Sequence, residues 1–156
     1  MRVVPADTVA AVETVRTLLR EYVASLAPAV PPCRFAGEIA GLPGRYGSPG
    51  GALFLALDSG GRAGGCVGVG PLDKPGACEL KRLYVRPDAR GAGAGRALAT
   101  AAIGWAERAG YAEVLLDTMP HMAGAQALYR ALGFVEVGAY AGTSIPDLMF
   151  FRKALR

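Results

Sequence analysis

The chain has 156 residues, which fits one domain over 1–156. Apolar residues make up 52% and charged residues 19%, so a single core is within reach and general disorder is excluded. The net charge is +4, the basic residues form no run of five or six, and no apolar stretch approaches the roughly 18 residues of a membrane span, so neither nucleic acid nor a membrane is the expected partner.

Arg2 to Val4 reads as a short first strand. Asp7 or Thr8 can cap a helix that runs to about Leu26, with Val9, Val12, Val15, Leu18, Leu19, Tyr22, Val23 and Leu26 at helical spacing. Pro28, Pro31 and Pro32 end it, and a second, short helix is predicted over about Cys33 to Ala40. Leu42 to Gly51 is a loop by composition. Ala52 to Leu57, Ala63 to Gly70 and Ala77 to Val85 are three strands joined by the turns Asp58-Ser59-Gly60-Gly61 and Asp73-Lys74-Pro75-Gly76, an antiparallel meander. Four glycines in the middle strand weaken it or mark a place where another backbone comes close.

The second half alternates. Gly93 to Ala109 has helical periodicity and stops at Gly110. Val114 to Thr118 is a short apolar strand suited to the sheet centre. Ala123 to Leu132 is a second helix stopped by Gly133, and Phe134 to Val137 and Leu148 to Lys153 are closing strands. Meander followed by strand–helix–strand–helix–strand predicts an α+β class with a mixed sheet.

Cys33, Cys66 and Cys78 are an odd number without metal-ligand spacing, and the start Met1 to Asp7 lacks a signal peptide's apolar stretch. Free thiols in a reducing cytoplasm are expected. Of the 17 basic residues 14 are Arg, which with abundant Ala and Gly points to a G+C-rich genome. A modest positive balance also suits a small anionic ligand.

Residues 85–96 hold the most informative stretch. A strand ends at Val85-Arg86-Pro87, glycines stand at 91, 93 and 95, and a helix begins. Glycines let backbone N–H groups approach a phosphate, and the helix N-terminus adds unpaired donors. Arg86, Arg90 and Arg96 can add charge. A P-loop would need Lys and a hydroxyl after its last glycine, and both are absent. A dinucleotide fingerprint would need glycine where Arg96 stands. Glycine alternation alone leaves a plain strand-to-helix turn as an equal reading.

At this point the sequence resembles the GNAT N-acetyltransferases. Arg90-Gly91-Ala92-Gly93-Ala94-Gly95 matches that family's [Gln/Arg]-x-x-Gly-x-[Gly/Ala] motif. Glu79-Leu80-Lys81-Arg82-Leu83-Tyr84-Val85-Arg86-Pro87 looks like its fourth strand, and Ala125 to Phe134 looks like its helix and Leu-Gly-Phe turn. The resemblance covers about residues 77–137. It implies a mostly antiparallel, splayed sheet of six to seven strands flanked by about four helices. The implied co-substrate is acetyl-CoA, with its pyrophosphate on Arg90, Gly91, Ala92, Gly93, Ala94, Gly95 and Arg96, and its pantetheine arm along backbone near Leu83, Tyr84 and Val85. No metal is implied, and the implied acceptor is an amine, with a small molecule favoured over a peptide by the chain's size. A non-catalytic acyl-CoA sensor with the same fold is the alternative. Monomer and homodimer are both open.

The resemblance also implies roles. Tyr129 stands where similar enzymes carry a tyrosine near the CoA sulfur, as the acid for the leaving thiol; packing against the core is its other reading. Glu79 is the candidate base, acting through a water, or else a strand-end partner of Lys81 or Arg82. Glu79, Lys81, Leu83 and Val85 share a face if the strand is regular, and a bulge would break that count. Glu38, Arg45, Tyr46, Arg82, Asp117, Thr118 and Tyr140 are candidates to shape the acceptor pocket. His121, the single histidine, is either a second base candidate there or a solvated loop residue. Many relatives place Asn where Met122 stands, so that cofactor contact is not carried over. Cys78 points away from Glu79 on a regular strand, which disfavours a cysteine nucleophile.

Overall fold

A computed structural model of the chain describes residues 1–143 and 145–156. The elements run β1 (Arg2–Pro5), α1 (Val9–Leu26), a 3₁₀ turn (Pro32–Phe35) leading into α2 (Ala36–Ala40), a second 3₁₀ turn (Gly44–Tyr46), β2 (Ala52–Leu57), β3 (Ala63–Pro71) and β4 (Ala77–Val85). A third 3₁₀ turn (Pro87–Ala89), α3 (Ala94–Arg108), β5 (Glu113–Thr118), α4 (Ala123–Ala131), β6 (Val135–Val137) and β7 (Met149–Ala154) follow. The expected short helix over 33–40 is thus split, its first turn tightened behind Pro31 and Pro32.

Local chemistry explains the element ends. Thr8 caps α1, its Oγ1 accepting from Ala11 N–H at 3.1 Å. Gly110 (φ 90°) and Gly133 (φ 93°) take the left-handed conformation that stops α3 and α4. Asp58 closes the β2–β3 turn by accepting from the N–H groups of Gly60 and Arg62, both at 2.9 Å.

The seven strands form one sheet in the order β1-β2-β3-β4-β5-β7-β6, and only β4 and β5 run parallel. One face carries Val67, Val69, Cys78, Leu80, Val114 and Leu116 against Leu98, Ala102 and Ala106 of α3 and Tyr129 of α4. The other carries Leu53, Leu55, Cys66 and Tyr84 against Val15, Leu19 and Val23 of α1 and Ile39 of α2. Burial on both faces explains why the middle strands read as continuous apolar runs.

Two features of β4 create the site. Its pairing with β5 stops after Glu79↔Leu115, although both strands continue. Beyond that point the sheet is split. β4 also carries a bulge. Cys66 pairs with Tyr84 and Gly68 with Lys81, so two steps on β3 span three on β4, and Arg82 takes φ 62°. The extra residue reverses the alternation. Leu83 and Val85 pack on the same side as Cys78 and Leu80, while Tyr84 joins the α1 side. The regular-strand expectation that Glu79, Lys81, Leu83 and Val85 share a face is therefore corrected.

The β3 glycines do mark a close approach. A Cβ on Gly68 would sit 2.8 Å from the Tyr46 ring, and one on Gly70 would sit 2.9 Å from the Arg45 carbonyl oxygen. The Gly44–Tyr46 turn therefore lies flat on β3, which carries Arg45 over Gly70 to that residue's sheet partner, Glu79.

Candidate active site at the split between β4 and β5

Two cavities open along the split. The first, about 390 Å³, is walled by Arg45, Glu79, Lys81, Arg82, Leu83, Asp117, Thr118 and Tyr129 among others. The second, about 650 Å³, runs over Leu83, Tyr84, Val85, Arg90, Gly91, Gly93, Ala94 and Gly95. Tyr22, Leu83, Met122 and Ala125 line both, so the two meet where the strands part.

The second cavity ends on the glycine loop. Gly91 (φ 86°) and Gly93 (φ 80°) are left-handed, and nothing lies within 4 Å of where their Cβ atoms would be. Gly93 precedes α3 with no side-chain cap, so the first-turn N–H groups of this 15-residue helix lack a capping acceptor. That is a donor cradle for an anion, and it fits a pyrophosphate. The arginines divide differently from expectation. Arg90 borders the cavity, with its Nε donating to the Val85 carbonyl at 3.0 Å. Arg96 lies beside Met1 and Val3 on another surface, and Ala92 is outside the lining too. Arg86 is held by the Glu21 carboxylate at 2.6 Å, which ties β4 to α1.

In the first cavity Glu79 is buried, at 4% exposure. Its Oε1 accepts from Arg45 Nη1 at 2.9 Å, its Oε2 accepts from the Tyr140 hydroxyl, and Lys81 Nζ stands 3.7 Å from Oε2. Lys81 also reaches Asp117 at 3.0 Å. Tyr140 packs edge-on against Phe150, and burial followed by the Glu79 charge pushes its phenol above the ordinary value. Thr118 Oγ1 faces the Met122 sulfur at 3.8 Å.

Tyr129 lies on α4 one turn beyond the junction residue Ala125 and lines the first cavity. Its ring packs on Phe134 and Phe151, and its hydroxyl has no hydrogen-bond partner among the described residues. Burial first, then the Tyr22 and Asp117 charges, raise its pKa, so the phenol stays protonated at neutral pH.

Four expected pocket residues line neither cavity, and of these Tyr140 reaches the site only through its bond to Glu79. Glu38 stands behind the wall and forks onto Arg82, at 2.7 and 3.0 Å. Tyr46 is a core residue beneath β3, and its hydroxyl has no partner among the described residues. His121 is exposed in the β5–α4 loop and lines neither cavity. Cys78 is buried on the opposite face from Glu79, and burial pushes its thiol up to about 12, so it is inert at neutral pH. No group of three or more His, Cys, Asp or Glu suited to a metal occurs among the described residues.

Tyr22, Arg34 and Met122 line the cavities and were not singled out from sequence. Tyr22 reads as one more apolar position of α1, and Arg34 as one residue of the short helix expected over about 33–40, with no role attached. Met122 breaks the family pattern and so gave no positive signal.

The comparisons with known proteins agree with this geometry. Residues 18–134 match the sequence profile of the acetyltransferase (GNAT) family. The chain belongs to that family. An uncharacterized N-acetyltransferase of Schizosaccharomyces pombe is 40% identical over 115 residues, 74% of this chain and 71% of that protein. The IAA acetyltransferase of Azospirillum brasilense is 36% identical over 65% of this chain and 67% of its own length. Human N-acetyltransferase 8 is 35% identical over 60% of this chain but only 43% of that protein. In fold, a GNAT-family acetyltransferase from Staphylococcus aureus superposes with a TM-score of 0.81 at 18% identity, with 99% of each chain covered. A phosphinothricin acetyltransferase from Sinorhizobium meliloti, solved with AcCoA, gives 0.73 at 23% identity over 99% of this chain and 89% of that one. The GNAT family uses acetyl-CoA, and this GNAT protein is an acyltransferase. Among the described residues no helix is long and apolar enough to cross a membrane.

The ion pairs around the site set its acid response. The Arg86 hydrogen bonds lower the Glu21 pKa, and those of Lys74 lower that of Glu113. Burial pulls Glu38 upward, but the Arg82 bonds and charge outweigh it and leave the pKa below the usual 4.5. A carboxyl depressed in the folded state stabilises the fold above its unfolded pKa and loses that contribution as pH falls through the folded value. The melting temperature of this GNAT protein should therefore hold above about pH 4.5 and fall progressively below it. Glu38→Gln should flatten that acid slope in a pH series of melts.

Proposed function

We propose that this protein is an N-acetyltransferase that moves an acetyl group from acetyl-CoA to the amine of a small molecule, by direct attack within a ternary complex. The meeting of a donor-lined groove and a separate polar cavity at the β4–β5 split carries this reading. The glycine loop from Arg90 to Gly95 holds the pyrophosphate, and the β4 edge near Leu83 and Val85 holds the pantetheine arm. Acetyl-CoA supplies the acetyl group as a thioester. The amine must lose a proton to attack, and Glu79 takes that proton through a water. As the amine nitrogen bonds to the carbonyl carbon, the carbon–sulfur bond breaks and its electron pair stays on sulfur. Tyr129 gives that sulfur its proton, and the second proton, which leaves the nitrogen as the amide forms, passes through solvent to restore the phenol. The products are the amide and free CoA. The Arg45 and Tyr140 bonds fix the Glu79 carboxylate in place.

A thermal melt with acetyl-CoA tests the groove. At a hundred times the dissociation constant, binding adds about 2.7 kcal/mol. For a chain of this size that raises the melting temperature by roughly 5 to 10 °C. ATP or NADH at the same concentration should give no such rise. Thiol release with an amine present then separates an enzyme from a sensor. Binding with no release from a broad amine panel would leave the sensor.

A further inference from the structure

The charge inventory of the first cavity points to the acceptor. Four cations line it: Arg34, Arg45, Lys81 and Arg82. Three have a carboxylate of this chain. Arg45 holds Glu79 at 2.9 Å, Lys81 holds Asp117 at 3.0 Å, and Arg82 holds Glu38 through two bonds. Arg34, in the last turn of the Pro32–Phe35 segment, has no carboxylate and no hydrogen-bond acceptor among the described residues. With Glu38 behind the wall counted beside Glu79 and Asp117 of the lining, one guanidinium is left without a carboxylate.

That surplus lies in mixed company. Leu26, Phe35, Met119, Ile145, Leu148 and Phe150 supply apolar wall beside it. Glu79, the proposed proton acceptor, lines the same cavity. A molecule that satisfies all three features has an amine for the transfer, a carboxylate for Arg34 and an apolar body between or beside them. A guanidinium matches a carboxylate in two parallel hydrogen bonds, which fixes orientation as well as charge. A simple cationic amine would instead face four positive side chains with no unpaired carboxylate to receive it. A volume of about 390 Å³ is of the size that holds small-molecule ligands.

We propose that the acceptor is an amino acid with an apolar side chain, and that Arg34 binds its carboxylate. This rests on the acetyltransferase reading above and narrows its substrate class. Arg34 orients the acceptor and stays outside the bond-breaking step. Its removal should act on binding and leave the chemical step nearly untouched.

The test measures thiol release with L-phenylalanine and L-leucine, with their amides, and with phenethylamine. Wild type should favour the amino acids. Arg34→Gln should raise KM for the amino acids about 10- to 100-fold, with kcat little changed. It should leave the amides and phenethylamine as they were, and Arg34→Lys should restore part of the loss. The acetyl-CoA-dependent rise in melting temperature should be the same in Arg34→Gln and wild type, because Arg34 is outside the cofactor groove. Turnover of the analogues that lack a carboxylate at least as good as that of the amino acids would overturn the proposal and leave the acetyltransferase reading standing. An unchanged KM in Arg34→Gln would do the same. Binding of acetyl-CoA without thiol release from any of these compounds would overturn the proposal, and the acetyltransferase reading would fall with it only if the broad amine panel also gave no release.

Discussion

Tyr129→Phe should lower kcat about 100-fold and leave acetyl-CoA affinity and melting temperature nearly unchanged. The structure allows such a clean split. The phenol makes no hydrogen bond to the described residues, so its removal strands no buried partner. The ring contacts with Phe134 and Phe151 survive in phenylalanine. What is lost is one proton in the wall of the first cavity. Burial keeps that proton on oxygen at neutral pH, where it is available to a departing thiolate. The measurement is steady-state thiol release, alongside acetyl-CoA binding by calorimetry. A mutant with normal kcat would remove Tyr129 from the chemistry and leave it as a core aromatic. A mutant with lowered stability would show that the hydroxyl has a structural partner.

This catalytic arrangement was only partly legible in the sequence, and the boundary has a physical reason. Features set by neighbours in the chain were readable. Thr8 caps α1, Gly110 and Gly133 stop their helices, and glycines 91 and 93 adopt the left-handed turn that a phosphate cradle needs. The apolar run at 114–116 gave a central strand because burial on both faces leaves no room for polar residues. Features set across the fold were not readable. The bulge at Arg82 has no local signal, because no glycine or proline marks it. Its consequence reaches every later side chain of β4, and it places Leu83 and Val85 on the face away from Glu79. Glu38 looked like a pocket residue because the short helix that carries it borders the substrate site in the family the sequence resembles. In space its carboxylate is consumed by Arg82. Tyr22 and Arg34 reach the cavities from segments far along the chain, where both fell inside predicted helices and carried no signal of a site.

The Glu38–Arg82 pair gives the second large effect, because the bulge it holds lies on the stretch of β4 that has parted from β5. A non-glycine residue at φ 62° costs about 1–2 kcal/mol, so other contacts must hold Arg82 there. Two are present. Glu38 forks onto the guanidinium, and the Phe35 ring lies 4.6 Å below it. Both come from the segment that starts α2, so this short helix clamps the bulge. Glu38→Ala leaves a guanidinium whose side chain is only 17% exposed without its acceptors. The expected loss is about 1–3 kcal/mol, or roughly 3 to 10 °C in melting temperature. Activity should fall further than stability explains, by about tenfold to a hundredfold well below the melting point, because small displacements of β4 shift Glu79 relative to the groove. Glu38→Gln retains one acceptor oxygen and should fall between wild type and Glu38→Ala in both readouts. Denaturant unfolding and thiol release on the same preparations make the comparison. Unchanged stability and activity in Glu38→Ala would mean that the β3–β4 ladder alone sets the bulge. A loss of stability with full activity at low temperature would mean that the clamp holds α2 to the sheet without shaping the split.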